Sequence, residues 1–115
     1  MTPGKYNMVC PQGATFSKQL TWSIDDTPVD LSGYSARMQV REKHSSTAKI
    51  LDLSSDNSDI SLGGSSGTID IEISASATAE IVAKDYVYDL ELISPSNFVT
   101  RLVEGHFSVT PEVTR

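Results

Sequence analysis

Three stretches of this chain place chemistry-bearing residue types close together. Asp25-Asp26 sets two carboxylates side by side, the raw material of an acid–base pair. Ser54-Ser55-Asp56-Asn57-Ser58-Asp59 is rich in oxygen ligands of the kind calcium takes. Gly63-Gly64-Ser65-Ser66-Gly67 has the glycine content of a loop that wraps phosphate with backbone N–H groups. Each fails on its surroundings. Neighbouring residues at a strand end point apart, and nothing near Asp25-Asp26 supplies the apolar pocket that acid–base work requires to raise one pKa. The acidic stretch lacks the Gly and the closing Glu of a helix-flanked calcium loop. A phosphate loop continues through Lys-Ser/Thr into a helix, whereas Thr68-Ile69-Asp70-Ile71-Glu72-Ile73 follows these glycines as a strand alternation. Turn and solvated loop are the readings that remain.

Nucleophiles are equally sparse. Cys10 is the only cysteine and ends the apolar run Met8-Val9-Cys10, where a small buried filler is expected. It allows no intrachain disulfide, so the fold must rest on packing. His44 and His106 lie far apart in sequence among polar neighbours, which gives no Cys–His pair. No catalytic, cofactor-binding or metal-binding residue is assigned, no cofactor is implied, and the chain is not expected to be an enzyme.

The elements that would position any site are strands. Ala36, Met38 and Val40 alternate with Arg37, Gln39 and Arg41, the period of two that puts one face on a core and the other in water. The turn before them, Pro28-Val29-Asp30-Leu31-Ser32-Gly33, combines a preset φ, side chains that bond nearby backbone, and a glycine tolerant of positive φ. Phe16, Leu20 and Trp22 share one parity with Lys18, which is expected at a rim. Ile69, Ile71 and Ile73 share another stripe, as do Tyr86, Tyr88, Leu90 and Leu92. Shorter strands are expected over 5–10, 48–53 and 60–62. Ser94-Pro95-Ser96-Asn97 predicts a hairpin turn into a last strand over 98–110, with Gly105 as a bulge. Residues 75–83 are the one place for a short helix, opened by Ser76 and Glu80, with Ile81 and Val82 tucked beneath it. Arg37 and Arg41 are expected to pair with Asp70, Glu72, Asp89 or Glu91 on neighbouring strands.

These patterns predict an all-β, antiparallel immunoglobulin-like β-sandwich of seven or eight strands, a single domain over 1–115. A small barrel is the runner-up. An arm at 1–6 and a tail at 111–115 are expected to be free for docking. The net charge of −6 and scattered basic residues argue against nucleic acid. No stretch has the apolar length of a membrane span or a signal peptide.

Three segments carry a resemblance: Gln12 to Phe16, Pro28 to Arg41, and Tyr86 to Leu92 with Thr100 to Gly105. Together they resemble small virion proteins of tailed bacteriophages. The chain order is similar to the immunoglobulin-like amino-terminal module of phage baseplate upper proteins, where a Pro-Val-Asp-Leu-Ser/Thr-Gly turn opens a core strand. The resemblance implies a non-enzymatic adaptor in the tail, baseplate or fibre-attachment apparatus. It would be made in the host bacterial cytoplasm and located in the virion, without a fibre-bearing extension. Its partners would be other virion proteins, with several copies on a symmetric ring and neither nucleic acid nor membrane. A carbohydrate- or receptor-binding module using Trp22, Tyr34, Tyr86 and Tyr88 is the alternative, and a capsid decoration protein a further one.

Overall fold

The period-two stretches become the facing sides of two stacked sheets. The computed structural model describes residues 3–114. In chain order its strands are β1 (Gly4–Lys5), β2 (Met8–Pro11), β3 (Phe16–Thr21), β4 (Ser23–Ile24), β5 (Thr27–Pro28), β6 (Ser35–Arg41), β7 (Leu51–Ser54), β8 (Ile60–Leu62) and β9 (Thr68–Ile73). Helix α1 (Ala75–Ala79), β10 (Asp85–Ile93) and β11 (Val99–Thr110) complete the chain. The larger sheet runs β1–β11–β10–β6–β7, with β2 also on β11; the smaller runs β3–β9–β8, and β4–β5 is a separate hairpin. The protein is an all-β immunoglobulin-like sandwich whose pairings are antiparallel except where β1 and β2 join β11 in parallel.

Its core is the set of inward stripes. Ala36, Met38, Val40, Tyr86, Tyr88, Leu90 and Leu92 of the larger sheet are buried, and face Phe16, Ile60, Ile69, Ile71 and Ile73 of the smaller. Phe16 and Phe107 meet with ring centroids 5.5 Å apart, and Phe107 also touches Tyr88 at 6.5 Å. Burying each such aliphatic or aromatic side chain contributes about 1.5–3 kcal/mol, which is why the alternation dictates the register.

Local chemistry sets the turns. Asp25 and Asp26 both have positive φ (51° and 65°), the type I′ geometry that matches the twist of a two-residue hairpin, here joining β4 to β5. Asp30 accepts from both the backbone N–H and the hydroxyl of Ser32, and these bonds hold its carboxyl below the ordinary range. Gly33, at φ 78°, then turns the chain into β6. Ser94 and Asn97 close the β10–β11 hairpin through Asn97 N–H to Ser94 C=O at 2.9 Å, with Asn97 left-handed.

Several expectations are corrected. The strand expected over 5–10 is broken at Tyr6-Asn7 into β1 and β2. The described part of the expected arm is built into the sheet: β1 pairs with Val103 and Glu104, and Tyr6 N–H donates to Glu104 C=O. Met1 and Thr2 lie outside the described residues, as does Arg115 of the tail. Gly105 is not the bulge. The register slips at Leu102, which becomes the extra residue between Val103 opposite Leu90 and Arg101 opposite Glu91, and so turns inward. Gly105 serves a close approach instead, since a Cβ there would stand 2.4 Å from the Tyr6 carbonyl oxygen. Helix α1 is capped by Ser74, whose hydroxyl accepts from Ala77 N–H, and it ends before Glu80. Ile81 is buried as expected, whereas Val82 is 69% exposed.

Candidate functional site

The register of the larger sheet determines which polar side chains become neighbours on its outer face. Arg37 lies opposite Ser54 on one side and Glu91 on the other, and Glu91 opposite Arg101. The next row reads Asp52, Gln39, Asp89, Glu104 and Lys5. Donors and acceptors are thereby interleaved, except where Asp89 and Glu104 set two carboxylates side by side. Arg37 Nε donates to Glu91 at 2.7 Å, Arg101 contacts Asp89 and Glu104 at 3.5 Å each, Lys5 pairs with Glu104, and Lys49 with Asp52 at 3.1 Å.

Over one end of this face folds the loop that follows β6. Arg41 fastens it, donating from Nη1 to the carbonyls of Ser46 (2.6 Å) and Thr47 (3.0 Å) and from Nη2 to Gln39 Oε1 (2.8 Å). His44 comes from this loop, and the result is a groove of about 640 Å³ lined also by Arg37, Gln39, Val87, Asp89, Glu91, Arg101 and Glu104. Asp89 is the partly buried centre. Burial, then the charges of Glu91 and Glu104, push its carboxyl up against the opposing pull of Arg101. The hydrogen bond from Lys5 holds Glu104 below the usual range.

Of the expected ion pairs, Arg37–Glu91 forms. Arg41 bonds to neutral oxygens, Asp89 takes Arg101, and Asp70 and Glu72 lie on β9 in the other sheet, where Asp70 accepts from Gln19 at 2.9 Å. The four aromatics considered for ring stacking do not assemble. Tyr86 and Tyr88 are buried, their hydroxyls donating to Val82 C=O (2.6 Å) and Tyr6 C=O (2.5 Å). Trp22 and Tyr34 meet edge to face at 6.4 Å and are half-buried against the core.

Each chemistry-bearing stretch of the sequence has a structural place. Ser54 caps a 3-10 turn over Ser55–Asn57, and the glycine run forms a second over Gly64–Ser66. Gly67, at φ 69°, packs on the backbone of Trp22 and Val29, where a Cβ would stand 2.7 Å from the Trp22 carbonyl oxygen. Cys10 is fully buried, and burial pushes its thiol up. Among the described residues no group of three or more His, Cys, Asp or Glu side chains is placed to hold a metal ion. Among the described residues no helix is long and apolar enough to cross a membrane. A second, smaller groove of about 400 Å³ runs between β2 and β3. There the Lys18 amine sits 4.9 Å from the centre of the Tyr6 ring, the rim position its sequence parity gave it.

No family model matches the chain, and no curated protein matches its sequence. Among solved structures, the crystal structure of CopC from Methylosinus trichosporium OB3b aligns with a TM-score of 0.50 at 11% identity, over 94% of this chain and 89% of that one. The likeness is one of fold. It extends over nearly the whole β-sandwich and says nothing of the groove residues, whose arrangement follows from this chain's own register.

Proposed function

We propose that the chain is a non-enzymatic structural protein of a tailed-bacteriophage particle, an adaptor in its tail, baseplate or fibre-attachment apparatus. The observation that carries the non-enzymatic reading is the state of the groove's charges. Arg37 is tied to Glu91, Arg101 to Asp89 and Glu104, and Arg41 to loop carbonyls. Such a surface holds its own shape, and no side chain in it is set beside a nucleophile that it could deprotonate. The particle assignment is supported by the resemblance of the segment from Pro28 to Arg41, which supplies the turn and central strand β6 of the larger sheet.

An adaptor needs surfaces that neighbours can cover. Phe98 is 71% exposed beside Val99 at the β10–β11 turn, and Ile24 is 57% exposed on the β4–β5 hairpin. Large apolar side chains left in water at loop ends are natural anchors for a partner. Copies repeated around a tail would take the symmetry of the ring they sit on. The test is the protein content of density-gradient-purified particles, from phage carrying the natural gene and from phage carrying Phe98→Ser. The natural chain is expected in stoichiometric amounts and the variant depleted at least tenfold, with the isolated variant still folded. Absence of the natural chain from particles overturns the assignment.

A further inference from the structure

We propose that the groove on the outer face of the larger sheet binds a neutral, polyhydroxylated ligand of the carbohydrate class. This goes beyond the particle assignment and does not rest on it. Size is the first support: about 640 Å³ falls within the range of about 300–1,000 Å³ typical of small-ligand sites. The wall is also fixed, because Arg41 pins the carbonyls of Ser46 and Thr47 over the sheet. A pre-set wall spares a ligand the entropy of ordering a loop.

Charge balance supplies the second support. Three guanidinium groups (Arg37, Arg41, Arg101) face three carboxylates (Asp89, Glu91, Glu104), so the lining sums to zero in a chain of net charge −6. A polyanion entering here meets the carboxylates, and a polycation meets the guanidinium groups. A hydroxyl both donates and accepts, so an uncharged polyol satisfies both sets at once and repels neither.

Unused bonding capacity is the third. Among the described residues Arg37 bonds Glu91 through Nε, leaving its two terminal amino groups directed elsewhere. Arg101 reaches Asp89 and Glu104 only at 3.5 Å, the outer limit of a direct bond, so a ligand hydroxyl can compete for its N–H groups. Asp89, beside Glu91 and Glu104, has Arg101 at 3.5 Å as its charged partner and keeps acceptor capacity for a ligand hydroxyl. Along the row Arg37, Glu91, Arg101, cross-strand neighbours about 4.8 Å apart alternate donor with acceptor, a pitch on which hydroxyls of one sugar ring can be held. Val87 gives the floor an apolar spot for the ring's C–H face.

The experiment is an amide and side-chain N–H NMR titration of the full chain with the methyl glycosides of glucose, galactose and mannose and with N-acetylglucosamine, alongside a heparin oligosaccharide and an oligolysine. At least one neutral sugar is expected to give saturable shifts centred on Arg37, Gln39, Asp89, Glu91 and Arg101, with Kd on the order of 1 mM. The double variant Asp89→Asn/Arg101→Gln, checked for an unchanged core spectrum, should weaken binding at least tenfold, while Glu72→Gln on the other sheet should not. The proposal is overturned if none of the four sugars gives saturable shifts, if the shifts centre on Trp22 and Tyr34, or if either charged polymer binds the groove more tightly than every sugar.

Discussion

Thr78 is the one polar side chain among the described residues that is fully buried, and its hydroxyl joins the helix to the turn between β2 and β3. Its oxygen accepts from Gly13 N–H at 3.1 Å and lies 2.8 Å from Ala14 C=O, to which it donates. Thr78→Val keeps the shape and removes the hydroxyl, leaving one donor and one acceptor without their partner. Both bonds are part-buried, so each group left without its partner should cost about 1–2 kcal/mol, the lower part of the usual range, and the loss should be about 2–4 kcal/mol. Thr78→Ser keeps the hydroxyl and removes a methyl, at a cost of about 1 kcal/mol. With about 4 °C of Tm per kcal/mol at this chain length, calorimetry should show Val lower by about 8–16 °C and Ser by about 4 °C. Urea titration should reproduce the order through the midpoint at unchanged slope. If Val is as stable as Ser or more so, the hydroxyl is not what fastens the turn, and the reasoning from hydrogen-bond satisfaction fails here.

Gly105→Ala should cost at least about 2 kcal/mol, because the new methyl meets Tyr6 backbone rather than a movable side-chain end, and hydrogen exchange should accelerate first over β1 and β2. Burial raises the phenols of Tyr86 and Tyr88, so absorbance at alkaline pH should show part of the tyrosine signal titrating only as the chain unfolds. The sign follows. Above about pH 10 an unfolded chain releases phenol protons that the folded one retains, so stability should fall as pH rises there, and less steeply in Tyr88→Phe. The Cys10 thiol should be inert to aromatic disulfide reagents in the native state and react fully in denaturant; rapid native labelling would contradict its place in the core.

The core was legible because alternation is a local signal. Ile69, Ile71 and Ile73, or Tyr86 through Leu92, declare their buried face without reference to any partner strand. Turn chemistry was legible for the same reason at Asp30-Ser32-Gly33 and at Ser94 to Asn97. Pairing was less so. Nothing within Gly4 to Pro11 reveals that it will lie parallel to β11, and the bulge at Leu102 was masked by Gly105, whose lack of a side chain serves a crossing rather than a kink. The groove depends wholly on pairing. Arg37 lies far in the chain from Asp89 and Arg101 and becomes their neighbour only through the β6–β10 register, while the slip at Leu102 sets which residues of the β10–β11 hairpin meet. A reading of the sequence could therefore propose some ion pairs without knowing which strands share a sheet. Asp70 and Glu72 were misdirected to the arginines on that account.

The central claim, that this sandwich is a connector within a phage particle, is tested most directly by cryo-electron microscopy of intact particles with the chain's fold fitted into the tail and baseplate density. The account predicts repeated copies on a symmetric ring, contacting neighbours through the ends that carry Phe98 and Ile24. A particle mapped to completion in which no tail or baseplate density accepts this fold would contradict it; copies found only on the capsid surface would replace the adaptor reading with that of a decoration protein.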